Sequence, residues 1–121
     1  MNHIQAVRTH LLDLHKALLD MERQDYERLN GQVTAAAFLG VLTSDPAFAW
    51  LRPMTTLIVT FDDMLDDEAS LQKADRIDAL ERIRAFLAPD ENGNEFQRRY
   101  SDALQQSPHV LLAHGVLMRL L

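Results

Sequence analysis

Six apolar residues near the N-terminus, Ile4, Val7, Leu11, Leu14, Leu18 and Met21, follow one another at alternating spacings of three and four. On a helix that spacing places all six on one face, a seam that a partner helix must cover. A half-buried strand would need alternation of period two, and no stretch of the chain shows it. The spacing predicts one long helix from about Ile4 to Asn30, closed by Asn30–Gly31 in a left-handed exit. Leu12, Leu19 and Tyr26 form a second apolar line, so the apolar arc covers about half the circumference. Two neighbours are therefore expected for this helix.

Cap residues and prolines divide the remainder. Thr34 is placed to cap a second helix, AAAFLGVLTS, which is apolar nearly all round and rich in small residues that favour close helix approach. The stretch Asp45–Glu68 holds the one Trp and the densest acidic run, and it is expected to sit at the centre of the core. Asp45 before Pro46 starts a short helical segment in which Phe48, Trp50 and Leu51 plug one end of that core. Pro53 marks a new start or a kink, with Arg52 pushed out of the helical region. From there Met54, Leu57, Ile58, Phe61, Met64 and Leu65 give a helix one apolar face.

Asp67–Ala74 reads as a loop, with Ser70 or Asp75 starting a helix whose stripe is Ile77, Leu80, Ile83 and Leu87, with Phe86 beside it. That helix stops at Ala88–Pro89. The turn cluster PDENGN follows, and Asn94 with Gln97 three residues on forms a reciprocal cap for a helix carrying Phe96, Tyr100 and Leu104. Ser107–Pro108 opens a last helix, HVLLAHGVLMRLL, apolar almost all round, which implies burial or an oligomer interface. The expected architecture is all-α: a single-domain helical bundle of about five to six helices over residues 1–121. Its long N-terminal helix packs on the Pro53–Leu65 helix and on the C-terminal helix.

A chain of 121 residues buries a core without metal or disulfide staples. The lack of cysteine excludes disulfides, thiolate metal sites and cysteine nucleophiles. No uncharged apolar run approaches the roughly 20 residues of a membrane span, and MNHIQAVRTH is not a signal pattern. No membrane association and a cytoplasmic location are expected. The net charge of −6 is concentrated in Asp62–Glu81, where eight acids meet only Lys73 and Arg76. Such a surface argues against nucleic acid as a partner. It is either a solvated face or a patch for a basic partner.

Four polar residues stand in or beside the apolar arc of the first helix: Arg8, His15, Glu22 and Asp25. His15 and Glu22 either meet solvent at the edge of the arc, find a core hydrogen bond, or belong to a buried polar cluster that must be paired or metal-bound. His114, amid Val110, Leu117 and Met118, is either a satisfied core or rim residue or a ligand. At the acidic end of the Pro53 helix, Asp62/Asp66 and Asp63/Asp67 are like-charge pairs at the negative end of the helix dipole. Either the helix ends near Leu65 or a cation compensates.

DDMLD matches the DDxxD pattern with which prenyl-diphosphate synthases hold Mg²⁺, but the chain is too short and lacks their second acidic motif. A small all-α nucleotide pyrophosphohydrolase fits the size better. In that case Glu22 and Asp25 would face Asp62 and Asp66 as ligands for Mg²⁺ or Mn²⁺, although only Glu22-Arg-Gln-Asp25 fits that family's carboxylate pattern. The helix ligand pairs of a di-iron bundle, a glycine-rich phosphate loop and a nucleophile elbow are absent.

The segments HKALLDMERQDYERLNG, FAWLRPMTTLIV and EFQRRYSDALQQSPHVLLAH resemble a family of short bacterial helical proteins without an assigned activity. The resemblance implies a bacterial origin and one domain, and brings no ligand or catalytic residue. The leading expectation is a non-enzymatic interaction or structural module, without a cofactor, that forms a homodimer or meets another protein through leftover apolar surface. The alternative is a metal-dependent phosphohydrolase.

Overall fold

The computed structural model describes residues 2–121. Helix α1 spans His3–Asn30. The Asn2 side chain accepts from the Gln5 N–H at 2.9 Å, satisfying one of the unpaired donors of its first turn. Its seam is buried as the spacing predicts: Ile4, Val7, Leu11, Leu14, Leu18 and Met21, joined by Ala17. The chain leaves at Gly31, where φ is +84° and ψ 169°. This is an extended conformation at positive φ rather than the left-handed helical one, and it too favours glycine.

Helix α2, Ala35–Ser44, is capped by Thr34, whose Oγ1 accepts from the Ala37 N–H at 3.1 Å. The expected close approach of its small residues does not occur. Ala35, Ala36 and Ala37 are exposed, Gly40 faces open space, and Phe38 is the helix's buried residue. Phe38 closes an aromatic trio with Tyr26 at 6.0 Å and Phe48 at 5.7 Å, a satellite beside the main core.

The 3₁₀ turn Pro46–Leu51 begins with Asp45 accepting from the Ala47 N–H and buries Phe48, Trp50 and Leu51. It runs directly into helix α3, Arg52–Leu65. Pro53 stands in the first turn of α3 and so marks its start, as expected, but Arg52 has φ −57° and ψ −42°, fully helical, and is not pushed out of the helical region. Buried Leu51 and Met54 anchor the chain on both sides of it, and that packing outweighs the steric bias on a residue before proline. Met54, Ile58 and Phe61 are the buried line of α3.

A 3₁₀ turn, Glu68–Ser70, leads to helix α4, Lys73–Phe86. Gln72 precedes its first turn, and Asp75 accepts from the Gln72 N–H at 3.1 Å. The buried line is Ala79, Ile83 and then Leu87, whereas Ile77 is 48% exposed. At about 100° per residue Ile77 points about 120° away from Ile83, so the expected stripe is rotated toward Ala79.

Helix α5, Glu95–Gln106, has the reciprocal cap: Asn94 Oδ1 accepts from the Gln97 N–H at 2.9 Å, and Gln97 Oε1 from the Asn94 N–H at 3.0 Å. Gly93 is required for that approach, since a Cβ there would lie 2.2 Å from Gln97 Oε1. Ser107 caps helix α6, Pro108–Met118. Helix α1 packs on α6 and α3, α6 also on α5, and the Pro46–Leu51 turn joins α2, α3 and α5. The result is an all-α bundle around α1, with Trp50, Phe96 and Tyr100 in one aromatic row. Among the described residues no helix is long and apolar enough to cross a membrane.

Candidate functional site

The acidic end of α3 resolves its charges in both of the ways open to it. The helix stops at Leu65, and Arg8 of α1 donates from Nε to Asp62 Oδ1 at 2.6 Å. The bond and the charge of Asp62 push the Arg8 guanidinium further up, with a smaller push from Asp66. Glu68 ties the following turn to α1, accepting from Asn2 and, at 3.0 Å, from Gln5 Nε2. A polar hollow of about 440 Å³ lies among Gln5, Arg8, Asp62, Asp66 and Glu68.

Glu22 and Asp25 stand elsewhere. Arg8 and Glu22 are fourteen residues apart, about 21 Å along α1. Asp25 is paired with Arg28 and accepts from Gln106 Nε2 at 2.7 Å. Burial and the charge of Asp25 raise the pKa of Glu22, opposed by Arg99. The four carboxylates thus occupy two separate places. Among the described residues no group of three or more His, Asp or Glu is disposed to hold a metal ion.

The two histidines singled out on apolar faces have different environments. His114 Nδ1 and the Tyr100 hydroxyl are 2.6 Å apart. Tyr100 is fully buried, which pushes its phenol well above the usual range, and burial lowers the pKa of His114. The pair links α5 to α6 and satisfies a hydroxyl that burial would otherwise leave without a partner. In the sequence Tyr100 stands on the apolar line of α5 with Phe96 and Leu104. Its signal was a hydroxyl at a core position one short loop away from a histidine on the facing stripe.

His15 is half-buried and its pKa is lowered by burial, but its Nε2 is closed off from solvent and has no hydrogen-bond partner among the described residues. The ring lines a groove of about 520 Å³ walled by Leu19 of α1, Leu39 and Leu42 of α2, Phe48 and Leu51 of the 3₁₀ turn, and Arg52 and Thr55 of α3. Among the described residues, Arg23 Nε and Trp50 Nε1 are likewise buried without a hydrogen-bond partner.

On the opposite side of α1, the outer face of α6 is uncovered. Leu111 and Leu112 are 53% and 65% exposed. Leu112, Ala113 and Val116 border a hollow of about 370 Å³ shared with His10, Asp13 and Lys16 of α1. Gly115, one turn on from Leu111, faces open space.

Comparison of the chain with models of known protein families, with curated protein sequences and with solved structures finds no match.

Proposed function

We propose that the protein is a non-enzymatic, cytoplasmic interaction module that pairs with a second copy of itself through the outer face of α6. The observation that supports this is the adjacency of Leu111 and Leu112 with Val116 and the open Gly115. Single exposed leucines are common on soluble proteins, but a contiguous apolar strip on one helix is characteristic of interaction surfaces. A glycine in the strip allows a second helix to approach closely. The Mg²⁺ or Mn²⁺ phosphohydrolase reading would need Glu22 and Asp25 beside Asp62 and Asp66, and those pairs stand apart.

Sedimentation equilibrium tests the pairing. The chain should sediment as a dimer at about 10 μM, and Leu112→Glu should weaken association at least tenfold, about 1.4 kcal/mol. At concentrations low enough that both proteins are monomeric, its urea midpoint should match that of the parent, because the residue is exposed. A parent that is monomeric throughout this range, or a dimer indifferent to Leu112→Glu, would count against the reading.

A further inference from the structure

We propose that the groove between α1, α2 and the start of α3 binds an aliphatic monocarboxylate, its chain lying on Leu19, Leu42, Phe48 and Leu51 and its carboxylate held by Arg52. At about 520 Å³ the groove is within the usual 300–1,000 Å³ of small-molecule sites, and its wall area is mostly apolar, with three threonines, His15 and Arg52 among the lining side chains. The wall residues come from four consecutive elements, so the site exists only in the folded chain.

Charge decides the head group. Arg52 is the one Lys, Arg, Asp or Glu of the lining. Among the described residues its guanidinium has no ion pair and no hydrogen bond, unlike Arg8, Arg23, Arg28, Arg76 and Arg82, each of which faces a carboxylate. A planar fork matches a carboxylate with two parallel hydrogen bonds and balances one negative charge. A phosphate monoester would bring a second charge with no cation in the lining to meet it. Leu39 supports an aliphatic tail: it lines the groove yet is 62% exposed, an apolar side chain that a bound chain would cover.

Titration calorimetry on the full chain with decanoate and decyl phosphate below their micelle concentrations, and decanol below its solubility limit, tests the assignment. Decanoate should bind with one-to-one stoichiometry and more tightly than decanol or decyl phosphate. Arg52→Gln should weaken decanoate by about tenfold, the worth of one charge-assisted contact, and leave decanol unchanged. Both Arg52 and Leu39 are exposed, so Arg52→Gln and Leu39→Asp should keep the parent's circular dichroism and melting curve. Leu39→Asp should weaken all three ligands.

Amide shifts on adding decanoate should centre on residues 39–43 and 52–56. Absence of saturable binding, equal affinity for decanoate and decanol, or insensitivity to Arg52→Gln would overturn the proposal. Tighter binding of decyl phosphate would overturn the monoanionic head. Shifts centred on Leu112 and Val116, or loss of helicity on addition, would show only non-specific apolar or detergent-like binding and would equally overturn it.

Discussion

The α5–α6 corner and the α2 corner each hold one helix that is apolar nearly all round, α6 and α2, yet in the pairing of its polar groups one corner is closed and the other open. In the α5–α6 corner Tyr100 and His114 pair, Asn94 and Gln97 cap each other, and Ser107 caps the last helix. In the α2 corner Phe38 rests on a three-ring satellite, Leu39 is exposed, and His15 Nε2 has no partner. Every buried polar group left unpaired costs stability. A closed corner therefore stabilises the fold, and the unpaired nitrogen of the open one detracts from its stability.

The largest effect that tests this contrast comes from the core itself. Leu14 is fully buried in the cluster that α1 shares with α3 and α6, so Leu14→Ala should lower stability by about 3 kcal/mol in urea denaturation. Phe38→Ala removes a larger side chain but from the satellite, and should cost about half as much globally. It should instead increase hydrogen exchange within 35–44. Equal global losses would mean that α2 belongs to the main core after all.

A smaller effect is expected at the cap of the closed corner. Gly93→Ala places a methyl against the Gln97 side chain and breaks its half of the reciprocal cap, a loss of about 1 kcal/mol. Adding Gln97→Ala to that variant should produce little further loss, because the bond is already gone; a fully additive pair would refute the clash. Smallest of all is Arg8→Ala. Its ion pair with Asp62 is 44% and 37% exposed, so the urea midpoint should shift by no more than the scatter between repeats. A clear drop would show that the acidic end of α3 depends on Arg8.

What could be read in the residues was the physics that acts within a few positions. The seam from Ile4 to Met21, the caps at Thr34, Asp45, Asn94 and Ser107, and the end of α3 near Leu65 all follow from helix periodicity, unpaired backbone groups and like-charge repulsion. The misreadings came from contacts distant in sequence. Arg52 is helical because the residues around Pro53 are anchored in the core. Ile77 faces solvent because α4 packs through Ala79 and Ile83. Helix α2 is exposed because α1 gives its best-buried face to α3 and α6. The acidic run showed where charge accumulates but not which cation meets it. Tyr100 has the periodicity of an apolar core residue, so its spacing carries no sign of the hydroxyl that answers His114.

The contrast between the two corners is tested most directly by one substitution made at both histidines, with stability measured by urea denaturation at pH 7. His15→Leu removes a nitrogen that has no partner and should stabilise the fold by about 0.5–1 kcal/mol. His114→Leu leaves the buried Tyr100 hydroxyl without its partner and should destabilise it by about 1–2 kcal/mol. Opposite signs are the expected result; two losses of similar size would contradict the division into a closed corner and an open one.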